Sequence, residues 1–329
     1  MLGFLNNKTT DDLELAYRNC ITTIRSLLPT KAVKHEDYEL ILQNLTNFQN
    51  EVDRLMTEKP LKDAGEYLFC GMYSPYIYPS GEVVRVAEVG RFVLLWSYVD
   101  DILDSTTDIS LVTTICASLR KIVLEPFNLN TNYGSLNSEI YRILSEFLHG
   151  WDCDAEVASM IRSTYLQYID HTLLYRATEI EGRTMWMSEY LMARSFNVSI
   201  PVVQTIRWST NRELDAGALR DDDTKEVILA SGRVVGLTLD MFNHNGEKPN
   251  KTIFVHPCHI LEKSLSLSHD DALRKVGQLL DECQAQFSHK LQRVSAKFPQ
   301  EAEAIAEVHF NSLRWVVDAG RRYKQKPSR

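Results

Sequence analysis

Asp100, Asp101 and Asp104 stand at the end of residues 89–104, VGRFVLLWSYVDDILD, a run that is otherwise almost wholly apolar. On a helix Asp100 and Asp104 share one face a turn apart, and Phe92 and Trp96 continue that line backwards. One stripe is therefore aromatic and then acidic. Three carboxylates this close repel one another and are costly beside an apolar wall unless a cation neutralises them. Hard divalent ions such as Mg²⁺ prefer carboxylate and phosphate oxygens, so the cluster reads as a bridge between metal and diphosphate. The other acidic groups, Asp11-Asp12, Asp221 to Asp223 and Asp270-Asp271, adjoin polar sequence and read as solvated helix ends.

Helices must carry this stripe. Helical periodicity recurs over residues 13–28, 38–56, 83–103, 111–123, 138–148, 155–179, 186–196, 224–245, 268–298 and 300–323. Pro29, Pro60, residues 75–81, residues 128–134, Gly182, residues 221–223 and Pro249 punctuate the periodic stretches. Ser268 to Asp271 fits a capping box ahead of a long amphipathic helix. Gly 14 and Pro 10 in 329 residues is about 7%, against a usual share of roughly 12%, which disfavours a turn-rich all-β protein. The expected fold is all-α, a bundle of about ten helices with its site between facing helices. No repeat, low-complexity tract or linker marks a boundary, so one domain is expected over residues 1–329.

Composition narrows the partners. With 36 basic and 44 acidic residues the net charge is −8, which opposes non-specific attraction to nucleic acid or an anionic membrane. A bound phosphate therefore needs a local basic cluster. The six cysteines show neither C-x-x-C nor zinc spacing and are expected to be reduced thiols. No signal peptide or membrane span is readable, so no stable membrane insertion and a cytoplasmic location are expected.

The Asp-Asp-Ile-Leu-Asp sequence at 100–104, on such a helix, resembles the DDxxD motif of class I terpene synthases (terpene cyclases) of the single-domain fungal and bacterial type. Isoprenyl diphosphate synthases carry this motif too, and three further segments separate the families. Glu189-Tyr-Leu-Met-Ala-Arg194, before a break at residues 197–201, is similar to the segment whose arginine senses the diphosphate. A planar guanidinium suits phosphate because its fork matches two oxygens at once. Asn197 and Val198 fall where that family bends its helix. Residues 239–247, LDMFNHNGE, align with the second metal motif, N-D-x-x-S-x-x-x-E, with a departure. Leu239 replaces the first ligand, Asn243 replaces the serine, and Glu247 keeps the last carboxylate. Leucine offers no oxygen, so either Asp240 rotates into the coordination shell or the third ion is bound differently. Asp240, Asn243 and Glu247, at i, i+3 and i+7, can share one helix face. His244 reads as a solvent or outer-sphere residue. Trp315-Val-Val-Asp-Ala-Gly-Arg-Arg-Tyr323 is similar to the ending of the trichodiene-synthase-like branch.

The resemblance spans roughly residues 60 to 323 and implies three Mg²⁺ ions and an allylic prenyl diphosphate substrate, farnesyl diphosphate foremost. It implies ionisation to an allylic cation, with metals on Asp100, Asp101, Asp104, Asp240, Asn243 and Glu247. Arg194, Arg321, Arg322 and Tyr323, with Lys248, would take up the diphosphate charge. Phe92, Trp96 and Trp315 are expected to line an apolar pocket, with Trp186, Phe196 and Phe242 as further aromatic candidates. A homodimer is compatible with this reading. Two alternatives stand beside it: a chain-elongating prenyltransferase, whose second DDxxD is not supplied by residues 221–225, and a non-catalytic binding protein in which Leu239 marks lost metal binding.

Overall fold

The computed structural model describes residues 35–55, 64–134, 136–244 and 255–323, with side chains through Met241 in one helix and Val317 in the last. The described residues form helices α1 (Tyr38–Leu55), α2 (Ala64–Gly71), α3 (Ser74–Ile77), α4 (Val83–Ser105), α5 (Ile109–Leu124), α6 (Ser138–Gly150) and α7 (Ala155–Ile180). There follow α8 (Met187–Asn197), α9 (Ile200–Thr210), a 3-10 turn (Ala216–Arg220), α10 (Asp222–His244), α11 (Pro257–Leu265), α12 (His269–Lys297) and α13 (Pro299–Tyr323). No strand occurs among the described residues, and no helix among them is long and apolar enough to cross a membrane. Cys70, Cys116, Cys153, Cys258 and Cys283 are free thiols.

Where the periodicity is clear, helices form at the expected places, and the Ser268 hydroxyl caps α12 by accepting from the Asp271 amide at 3.2 Å. The segment 13–28 lies outside the described residues. Four helices, α2, α3, α9 and α11, are additional to the expected set. The largest surprise is α9, every residue of which is buried, so no face of it turns to solvent and its polar and apolar residues do not separate into two sides. It packs against α7, α8, α10 and α13. Pro201 sits in its first turn, where a missing N–H costs nothing. Ser199, between α8 and α9, takes the left-handed conformation at φ 66, an uncommon state for a residue with a Cβ.

The bundle positions its site through one unusually close contact. A Cβ added at Gly232 on α10 would lie 2.4 Å from the Ser195 carbonyl oxygen, and one at Gly236 would lie 2.8 Å from Cγ of Arg194. Residues 232 and 236 are one turn apart, and the next position on that line is Asp240. The glycines bring α8 down onto α10 backbone to backbone, and Asp240 then meets the Arg194 side chain.

Deeper in the bundle, His309 on α13 stacks on Phe287 of α12 with ring centroids 3.7 Å apart and pairs through Nδ1 with the Ser231 hydroxyl at 2.9 Å. Burial pushes its pKa down to about 3.

Two outcomes follow from this packing. Gly232→Ala forces a Cβ into a carbonyl that cannot move alone, and is expected to lower stability in urea unfolding by about 2–3 kcal/mol. His309 stays neutral in the folded chain while the unfolded chain protonates it near pH 6.5, so folding stability should fall as pH drops from about 6.5 toward 3. His309→Phe should flatten that slope in unfolding measured across pH.

Candidate active site

At the carboxyl end of α4, Asp100 is held from the side: the Tyr168 hydroxyl on α7 donates to its Oδ1 at 2.5 Å. Tyr168 is almost fully enclosed, and burial with the nearby Asp100 charge pushes its phenol well above the usual range. It remains a donor at any ordinary pH. Asp104, one turn on, is exposed at the helix end. Desolvation, reinforced by Asp100, pushes its carboxyl up to about 7, with Arg176 and Arg194 opposing. Asp101 is half-buried on the neighbouring face of α4. Among the described residues no three His, Cys, Asp or Glu side chains converge on a ready-made metal site. The donor set nonetheless suits a hard divalent ion, because carboxylates one turn apart on a helix repel one another and are relieved by bound positive charge.

Opposite this end, Arg194 on α8 makes a bidentate pair with Asp240 on α10, Nε to Oδ2 at 3.1 Å and Nη2 to Oδ1 at 2.7 Å. Asp240 also accepts from the Tyr190 hydroxyl at 2.5 Å. Both members of the pair are largely buried. Burial by itself would lower the Arg194 pKa, but Asp240 and the tyrosine oxygens outweigh it, so the guanidinium stays charged. Its Nη1 donates to Asn197, whose amide nitrogen in turn donates to the Thr172 hydroxyl at 3.0 Å. The Arg194 guanidinium also lies over the Tyr175 ring, 5.7 Å from its centroid.

Helix α7 joins the two halves. Tyr168, Thr172, Tyr175 and Glu179 follow one another at helical spacing, with Arg176 beside them, so one face of α7 touches Asp100 at one point and the Arg194 group at another. None of these α7 residues, nor Tyr190, is marked by sequence alone. The available signal is the recurrence of hydroxyl-bearing side chains on a single face of a long helix.

The remaining expected residues fall as follows. Asp240 is engaged by Arg194 and Tyr190, so it cannot turn to a metal while that pair is closed. Leu239 is half-buried and packs against the hydrophobic core. Asn243 continues α10 in backbone, one turn beyond Leu239, while Glu247 and Lys248 lie outside the described residues, and Arg321, Arg322 and Tyr323 continue α13 in backbone. His256, just before α11, lies 3.3 Å from the Asp240 carbonyl through Nε2 and steadies the end of α10. Phe92 is fully enclosed and packs on Trp96, Phe147, Trp151 and Tyr165. Trp96 packs on Tyr165 and Tyr168 nearer the acidic end. Trp315 stacks on Phe69 at 4.4 Å and meets Tyr73 and Tyr76, joining α13 to α2 and α3. Trp186 is mostly exposed, Phe196 stacks on His171, and the Phe242 side chain is outside the described set.

An all-helical bundle in which one helix holds both an acidic helix end and a clamped arginine agrees with the resemblance to class I terpene synthases. A family model, terpene synthase family 2, C-terminal metal binding, matches residues 91–286, and the chain belongs to this family. Among solved structures, wild-type cucumene synthase aligns with TM-score 0.68 at 12% identity, covering 91% of this chain and 99% of the other. A variant of the SVS_A2 protein from ancestral sequence reconstruction aligns with TM-score 0.76 at 11% identity, covering 92% and 89%. Hedycaryol synthase in complex with nerolidol aligns with TM-score 0.67 at 12% identity, covering 88% and 96%. No curated protein sequence matches the chain. The chain is thus a terpene synthase, a lyase-type enzyme whose family uses a divalent metal.

The buried Arg194–Asp240 pair sets a clear expectation. Asp240→Ala leaves a buried guanidinium and the Tyr190 hydroxyl without their acceptor, and should cost about 3–5 kcal/mol in chemical unfolding. Replacing both partners, Arg194→Met with Asp240→Leu, should recover most of that stability while removing turnover.

Proposed function

We propose that this terpene synthase cyclises farnesyl diphosphate to a sesquiterpene with release of diphosphate, depends on three Mg²⁺ ions, and does so as one domain over residues 1–329. The observation that carries this reading is that one helix, α7, holds both the Asp100 end of α4, through Tyr168, and the Arg194 clamp, through Thr172 and Asn197. Asp100, Asp101 and Asp104 would hold metal from one side, and Asn243 with Glu247 from the other. When bound, the ions supply Lewis-acid polarisation of the diphosphate oxygens.

The chain's own residues account for the rest. Tyr168 fixes the rotamer of Asp100, so the carboxylate need not be ordered when substrate arrives. Arg194 is held charged and in plane, and its guanidinium retains N–H donors beyond those engaged with Asp240 and Asn197. These donors, with those of Lys248, Arg321, Arg322 and Tyr323, would take up the negative charge of the departing diphosphate. Trp96 and the tyrosines packed on it would present ring faces to the allylic cation and exclude water without offering a strong nucleophile.

A chain-elongating prenyltransferase fits less well. Asp221 and Asp223 are bridged by Lys297 at 2.8 and 2.7 Å, and Arg293 also pairs with Asp223, so this acidic run serves as a helix anchor.

Incubation of the purified protein with Mg²⁺ and geranyl, farnesyl or geranylgeranyl diphosphate, followed by product analysis, is expected to give a cyclic hydrocarbon from farnesyl diphosphate. Asp100→Ala should remove nearly all of it with the fold intact, as should chelation of the metal. A longer diphosphate as product would identify a prenyltransferase. Absence of turnover, with retained diphosphate binding, would favour the binding-protein reading that Leu239 raises.

A further inference from the structure

The aspartate helix ends unfavourably by its own sequence. A helix carboxyl terminus leaves its last carbonyls without intrahelical partners and carries partial negative charge, which favours Lys, Arg or His in the last turn. Helix α4 has no basic residue there and places Asp104 in that turn instead, with Asp100 and Asp101 just before it. The missing cation comes from a different helix. Arg176 on α7 donates from Nη2 to the carbonyl of Thr106, the residue that caps α4, at 2.8 Å.

Arg176 is 5% exposed. Its Nη1 is held by Glu179 one turn along α7, and its Nε is buried without a hydrogen-bond acceptor. Keeping a guanidinium buried and incompletely satisfied is costly. A pair with Glu179 alone could form as well on the exposed side of α7, so the reach across to Thr106 is what the buried placement achieves.

We propose that Arg176 is a positioning residue, fixing the carboxyl end of α4 through the Thr106 carbonyl and supplying a standing countercharge to the aspartates before metal binds. None of the four sequence motifs includes it. Glu179 orients the guanidinium, and Arg176 together with Tyr168 ties α4 to α7 at two points, Thr106 and Asp100. The inference rests on the terpene synthase reading of the aspartates as metal ligands.

The test compares Arg176→Met and Arg176→Lys in the full chain by two measurements. Hydrogen exchange in the metal-free protein reads the amides of residues 102–106 directly, with or without turnover. Arg176→Met is expected to speed exchange there while α12 is unchanged, and Arg176→Lys, whose ammonium can still reach the carbonyl, should restore part of the protection. Thermal-shift titration with Mg²⁺ and inorganic diphosphate is expected to move half-saturation upward about tenfold in Arg176→Met and by less in Arg176→Lys. Unchanged exchange at 102–106 would overturn the proposal. So would a uniform rise across all helices with Lys no better than Met, or failure of both variants to fold, since each makes Arg176 a general core requirement. A wild-type protein that turns over no prenyl diphosphate would count against the cyclase reading while leaving the exchange comparison valid.

Discussion

The attraction between Arg194 and Asp240 is the interaction around which the described half of the site is built. A guanidinium and a carboxylate this deeply buried are tolerable only with good geometry and further hydrogen bonds. The fold supplies both. Glycines at 232 and 236 let α8 lie against α10 closely enough for a two-point pair, Tyr190 occupies the second lone pair of the carboxylate, and Asn197 holds the far side of the guanidinium. An arginine placed in this way keeps its charge and its plane in the absence of any phosphate. On the proposed reading, substrate would meet a preorganised donor instead of a long side chain that must first be ordered.

Helix α7 gives the arrangement its span. Along a single face it offers a hydroxyl to Asp100, another to Asn197, a ring to Arg194 and a guanidinium to the end of α4. The two charged halves of the site belong to helices far apart in the chain, and α7 sets the distance between them. Its Tyr165 and Tyr168 stack on each other and pack against Trp96 of α4, so polar contacts and aromatic packing share one scaffold.

Much of this was legible in the sequence, for identifiable reasons. The stripe from Phe92 to Asp104 stood out because an apolar helix ending in three carboxylates contradicts ordinary burial, and a contradiction of that kind marks chemistry. Arg194 was legible through its place before a helix break. Its partner was not. Asp240 is 46 residues away, and sequence adjacency to Leu239 suggested metal coordination, whereas packing across the glycine contact directs it to the arginine. Helix α9 was hidden because burial on every side erases the amphipathic period, and its β-branched residues argue locally against a helix. Phe92 shares the helical line of Asp100, and its complete enclosure by other aromatic rings is a product of tertiary packing that periodicity does not show.

The glycine seam between α8 and α10 also determines how movement travels. Two helices separated by a layer of side chains can absorb small displacements by changing rotamers, but backbone against backbone has no such give. A displacement of α8 at residues 194 and 195 would therefore pass to α10 with little loss. The seam thus acts as a stiff mechanical link between the helix that carries Arg194 and the helix that carries Asp240.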